Sequence, residues 1–190
     1  TLNSDFQANT AAADAFKRAL DSWKCETKVN ANIKSGNTTN ACYNVTDNMN
    51  TIAFASSSCP LPAGALGITY SSFSFCNTTQ MVFTNMDMLF NPSISWNYTT
   101  NAPSGSQVDF ESVALHELGH ALGEGHNSNA NEVMYPTISY GVMKRVLNAI
   151  SDVASVNDIL SRSTSTQVCI YSKHKLGTSC TTTNPVSVKA

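Results

Sequence analysis

The chain has 190 residues, the length of one domain with its own core, and a formal net charge of −2 with no long run of one sign. That balance draws in neither the phosphates of nucleic acid nor an anionic membrane surface, and no apolar run approaches the roughly 18 residues that cross a bilayer. Charged residues are 13% of the chain against 42% hydrophobic, so a surface built on Ser, Thr and Asn is expected; the opening at Thr1, without a basic and then apolar leader, reads as a processed, soluble form.

The first element is a helix in "NTAAADAFKRALDSW", where Phe16, Ala19, Leu20 and Trp23 fall on one face, Thr10 is a candidate N-cap and Asp14 lies near the positive end of the dipole. Short β-type runs follow, "KVNANI", "TIAFA", "ALGITY" and "MDMLF", separated by turn residues, and together they predict a small sheet. Asp109 can cap a second helix with Phe110, Ala114, Leu118, Ala121 and Leu122 along its packed side. A third helix begins at Ser151 or Asp152, turns Val153, Val156 and Leu160 inward and ends near Ser163. The expected organisation is a domain over 1–163 and a polar, Thr-rich extension over 164–190.

Six cysteines, Cys25, Cys42, Cys59, Cys76, Cys169 and Cys180, contain no CxxC pair and read as disulfides of a secreted protein. Loop closure favours neighbours, giving Cys25–Cys42, Cys59–Cys76 and Cys169–Cys180, the last within the extension. Sequons at Asn37, Asn44, Asn77 and Asn97 are candidate glycosylation sites, although an Asn- and Thr-rich chain also makes them by chance. Trp23 and Trp96 read as core or edge anchors, and His174 as a solvated residue of the extension.

The chemistry is concentrated in "VALHELGHALGEGHN", where three of the four histidines, His116, His120 and His126, fall within eleven positions. Histidines four apart project from one helix face and can bind one ion at about 2.0–2.1 Å, opposite the packed side. A straight helix would carry residue 126 roughly 9 Å beyond His120, so the chain must turn, and Gly123 tolerates the left-handed conformation that ends a helix. Three imidazoles leave a fourth position for water, the arrangement of a catalytic zinc, and Glu117 is placed to take that water's proton and pass it to a departing amine. The predicted reaction is amide hydrolysis. By independent residue frequencies the five-residue pattern arises in roughly a few such chains per million, so the rivals are a zinc held for structure in a non-catalytic secreted glycoprotein, or a narrow-specificity processing peptidase, rather than chance.

The full HELGHALGEGH followed by "EVMYP" resembles the metzincin zinc endopeptidases, with Met134 in the position of their Met-turn, and within them the matrixins, for which "MYP" after the zinc helix is typical. Pro136 stands where astacin-like enzymes place a zinc-reaching tyrosine, which separates the chain from that branch. At lower specificity "AFKRALDSW", "ALGITY", "MDMLFN" and "SDVASVNDIL" resemble successive matrixin elements, so the resemblance covers about Thr10 to Ser163.

The resemblance implies an α+β, zincin-like fold: a small mixed twisted sheet packed on two helices, a zinc cleft, and a small C-terminal part after Gly123 carrying a third helix. It implies that Ala65, Leu66, Gly67, Ile68, Thr69 and Tyr70 form an edge strand to which an extended peptide adds, and that Leu115, Tyr135, Pro136 and Ile138 lie near an S1′ pocket preferring an apolar residue. Protein or peptide substrates and a monomer are expected. Where animal matrixins bind a second zinc and calcium through His and Asp, "SSSCPLPAG" has neither, so no structural zinc is expected and calcium has little basis. The short segment before the first helix leaves the family's first strand short or absent, and Ser151 replaces the aspartate that pairs with the mature N-terminus in many matrixins. The family's inhibitory segment with its switch cysteine would lie upstream.

Overall fold

The computed structural model describes residues 1–38, 42–44, 47–75, 81–165 and 176–177. Strand β1 is the two residues Leu2–Asn3, and the Asn3 side chain then caps a short helix, α1 (Ser4–Ala8), by accepting from the amides of Asp5 and Phe6. Helix α2 (Thr10–Thr27) starts where expected, but its cap is Asn9, which accepts from Ala12 N–H. Asn9 closes α1 and opens α2, so Thr10 is already helical. Ala12, Ala15, Phe16, Ala19, Leu20 and Trp23 form the buried face.

The helix outlasts the predicted stretch, and Lys28 ends it in the left-handed conformation, with its N–H on Lys24 O. "KVNANI" is therefore not a strand. Its alternation is real, since Val29 is buried and Ala31 and Ile33 half-buried, but its backbone pairs with no strand among the described residues. Of the extension, Leu176 and Gly177 are described, and Gly177 N–H donates to Lys28 O at 2.7 Å. Cys169, His174 and Cys180 lie outside the described residues.

The main sheet is mixed, in the order β2-β1-β3-β5-β4, with β2 (Asn37–Thr38), β3 (Ile52–Phe54), β4 (Gly67–Phe75) and β5 (Met81–Phe90). The first strand is thus short but present, pairing in parallel with both β2 and β3. Strands β4 and β5 extend past "ALGITY" and "MDMLF" into a long antiparallel pair with a register shift between Ser72 and Phe73. The β4 extension alternates Ser and Phe, and in β5 Thr84 and Asn85 separate the apolar Met81–Phe83 from "MDMLF"; backbone pairing along a two-stranded ribbon carries through both.

Helices α2 and α3 cover one face of the sheet around Phe6, Phe16, Trp23, Phe90 and Phe110, with the Phe6 and Phe16 rings edge-on at 6.1 Å. On the other face Ala53, Cys59 and Leu89 form a smaller cluster with Ile68 and Tyr70 against it. The disulfide in that cluster is Cys42–Cys59, and Cys25 is also disulfide-bonded, so neither Cys25–Cys42 nor Cys59–Cys76 forms. Both rejected loops span the same 17 residues as the observed one, so loop closure could not rank them. Cys42 and Cys59 meet on this face of the sheet, whereas Cys25 is carried by α2, which packs on the other.

A small parallel pair, β6 (Trp96–Asn97) and β7 (Val108–Asp109), leads into α3 (Phe110–Ala121). Asp109 caps α3 as predicted, accepting from Ser112 N–H. Asn97 is 5% exposed and its Nδ2 donates to Asn101 O at 2.7 Å, which leaves no room for a glycan at that sequon. Asn44 is exposed; the side chain of Asn37 and residue Asn77 lie outside the described residues.

After the cleft region Asn148 caps a π-helical turn (Ala149–Val153) that continues as α4 (Ala154–Ser165), earlier than Ser151 and two residues past Ser163. Asn148 wins because its side chain accepts from both Ile150 and Ser151 N–H. Ser151 bonds Glu132 through its hydroxyl, and the Thr1 amine donates to Asn50 O at 2.6 Å.

Candidate active site

His116 and His120 stand one turn apart on α3, and the helix ends where Leu122 bonds back to Leu118 and Gly119 and Gly123 adopts φ +97°. Glu124 N–H then closes onto Gly119 O, and the returning chain brings His126 to the other two. The three Nε2 atoms form a near-equilateral triangle with sides of 3.1, 3.2 and 3.2 Å. Ligands at 2.0–2.1 Å in a tetrahedron are separated by about 3.3 Å, so this donor set fits a tetrahedral ion such as zinc. Among the described residues these three are the His, Cys, Asp or Glu side chains close enough to share one ion.

Backbone carbonyls orient the rings. His116 Nδ1 lies 2.8 Å from Val133 O and His120 Nδ1 2.8 Å from Glu124 O. Each Nδ1–H donates outward, which leaves each Nε2 lone pair facing the centre. Burial lowers the His116 pKa to about 4 and also lowers that of His126, with neighbouring His120 acting the same way on both. Neutral imidazoles are the form that binds a metal.

Glu117 is 5% exposed, and burial pushes its carboxyl up to about 7 against the opposing effect of a hydrogen bond from Thr69. Thr69 Oγ1 lies 2.8 Å from Glu117 Oε2. The cleft, of about 920 Å³, has Ala65, Leu66, Gly67, Ile68 and Thr69 on one wall and Tyr135, Pro136 and Ile138 on the other, with Glu117 and the three histidines between.

Four expected residues depart from the reading: Ala65 and Leu66 line the cleft but precede β4, which begins at Gly67, and Leu115 and Tyr70 lie elsewhere. Leu115 is fully buried, its carbonyl accepting from Trp23 Nε1, because it sits about 100° around α3 from His116; Val113, three before His116, takes the place on the cleft side. Tyr70 alternates to the opposite sheet face and stacks on Tyr43 at 4.0 Å. Sequence reasoning also missed Lys144, a cleft residue whose Nζ donates to Thr137 O at 2.9 Å and sits 4.8 Å from the Tyr135 ring centre. No local pattern marks it, since the 17 residues between His126 and Lys144 bring it there.

Met134 is 1% exposed beneath the histidines, pressed on the backbone of Gly119. A Cβ at 119 would overlap Met134 Sδ, lie 3.0 Å from Met134 Cε and 3.4 Å from the Trp23 ring. Alanine for glycine inside a helix ordinarily gains about 0.5–1 kcal/mol. Here the sign reverses: Gly119→Ala is expected to cost about 1–3 kcal/mol by overpacking, read as a lower urea midpoint, and to weaken zinc binding by shifting Val133 O against His116.

A tri-histidine centre beside a buried glutamate, in a cleft rimmed by a sheet edge, is the arrangement that zinc metalloendopeptidases use. The matrixin profile matches residues 2–160, and the chain belongs to the matrixin family. Over 37 residues it is 60% identical to Metalloendoproteinase 2-MMP of Arabidopsis thaliana, a stretch covering 20% of this chain and 10% of that protein. It is 54% identical over 39 residues to Metalloendoproteinase 1 of Glycine max, covering 20% and 13%, and 36% identical over 55 residues to human Matrilysin, covering 29% and 21%. The matches thus span about a tenth to a fifth of these relatives.

Proposed function

We propose that residues 1–163 form a secreted endopeptidase domain in which His116, His120 and His126 hold one catalytic zinc and Glu117 is the general base. The convergence of three Nε2 atoms within 3.2 Å of one another, next to a carboxylate buried against the cleft's edge strand, carries this reading. When bound, zinc makes a water acidic near neutral pH and polarises the scissile carbonyl. Glu117 takes the proton of the attacking water, and the same carboxyl hands it to the departing amine nitrogen, cleaving the C–N bond.

An extended substrate adds its backbone to the outer edge of β4 at Gly67–Thr69, which pairs with β5 alone among the described strands, with the side chain after the scissile bond between Val113, Tyr135, Pro136 and Ile138. These walls favour an apolar P1′ residue. Met134 serves as packing under the histidines. Secretion rests on the Cys42–Cys59 and Cys25 disulfides, and no described helix is long and apolar enough to cross a membrane.

The test is cleavage of a random peptide library by the zinc-loaded protein, beside Glu117→Ala and a chelated sample. Cleavage before apolar residues by the wild type alone is expected. Silence of a folded, zinc-loaded wild type would exclude a general endopeptidase, and unfolding on chelation would favour a structural zinc.

A further inference from the structure

Side chains alternate along β4: Ile68 and Tyr70 pack on the disulfide face, while positions 67 and 69 face α3. Both of the latter meet the same partner. Gly67 has no Cβ, and one placed there would lie 3.1 Å from Glu117 Cγ and 3.1 Å from Oε1. Thr69 Oγ1 lies 2.8 Å from Oε2 of the same carboxylate and 2.9 Å from the Glu117 backbone carbonyl. The carboxylate therefore rests against the strand backbone at Gly67 and is held from one side at Thr69. A hydroxyl has one hydrogen, and an ionised carboxylate is the stronger of the two acceptors in reach.

We propose that Thr69 is a positioning residue for Glu117: its hydroxyl donates to Oε2, leaving Oε1 as the oxygen that exchanges the proton with the attacking water. This rests on the endopeptidase reading above. The edge strand then has two tasks. Its backbone takes up the peptide while the side chain at 69 fixes the base, so substrate register and base position are set by one rigid element. A free glutamate side chain has three rotatable torsions, and a misplacement of about 1 Å at a reacting group can cost on the order of 100-fold in rate.

The test compares wild type, Thr69→Val, Thr69→Ser and Glu117→Gln on one peptide chosen from the library. Valine keeps the branched shape and removes the donor, whereas serine keeps the donor. Thr69→Val is expected to lower kcat about tenfold with KM within about twofold, and Thr69→Ser to recover most of that loss. Zinc content and melting temperature should stay close to wild type in both, and a metal-free crystal structure of Thr69→Val should have the Glu117 carboxylate displaced from Gly67. Wild-type kcat in Thr69→Val, an equal loss in Thr69→Ser, or an unmoved carboxylate would each overturn the assignment. A wild type as inactive as Glu117→Gln would instead remove the endopeptidase reading, and this inference with it.

Discussion

With Glu117 as the proposed general base, Glu117→Gln is expected to lower kcat by roughly 10²- to 10⁴-fold, while zinc content stays at the wild-type level. Glutamine keeps the shape and can still accept from Thr69, so the loss isolates proton transfer from packing. The same substitution should stabilise the metal-free protein in alkali. Burial raises the Glu117 carboxyl from 4.5 to about 7, so below pH 4.5 it is protonated in both folded and unfolded chains and has no effect. As pH rises from 4.5 towards 7 the unfolded chain ionises first, and the folded state loses up to about 3 kcal/mol relative to it. Urea unfolding of metal-free wild type against Glu117→Gln should therefore give equal stability near pH 4 and a more stable variant at pH 8. Equal stability at both pH values would mean that the carboxylate is solvated in the folded protein.

The second large effect is at the other end of α3. Asp109 is fully buried, caps the helix, and is gripped by Arg145, whose Nε donates to Oδ2 at 2.8 Å and whose Nη2 donates to Oδ1. Arg145 also lies 3.3 Å from Glu111, which Arg18 holds from α2 at 2.7 Å, and its guanidinium donates to Thr99 O at 2.7 Å. This network ties α2, the start of α3 and the chain beyond the cleft together. Removing the guanidinium leaves the buried Asp109 carboxylate without a counter-ion, held by Ser112 and Asn97 alone among the described residues, so Arg145→Ala should cost about 3–5 kcal/mol, a shift near 2 M in the urea midpoint for a slope of about 2 kcal/mol per M. The Lys17–Asp21 pair is the control: the lysine side chain is 62% exposed and Asp21 keeps Lys24 at 3.8 Å, so Lys17→Ala should change stability by less than about 1 kcal/mol. A loss at Arg145 as small as at Lys17 would mean that water replaces the guanidinium at no cost.

Much of the site was legible because its signals are local. A spacing of four on a helix puts His116 and His120 on one face whatever surrounds them, a glycine at 123 permits the turn, and Asp109 caps through its own next turn. Helices α2 and α3 were readable for the same reason, their apolar periodicity being a property of a few consecutive turns. The errors fall where local signals compete. Asn9 and Asn148 out-competed neighbouring caps by bonding amides that Thr10 and Ser151 do not reach, and "KVNANI" alternates without a partner strand.

What the sequence by itself determined is therefore the chemistry of the centre: three imidazoles and a carboxylate, grouped by helix geometry and one turn. Tertiary structure alone decided the rest, because it depends on which distant residues meet. Cys42 paired with Cys59 over an equally spaced Cys25 because both meet on one face of the sheet while α2 carries Cys25 on the other. Leu115 went to Trp23 and Val113 to the cleft through the rotation of α3 on α2. Arg145 reached Asp109 across 36 positions, and Thr69 reached Glu117 across 48, contacts that no periodicity or short motif encodes.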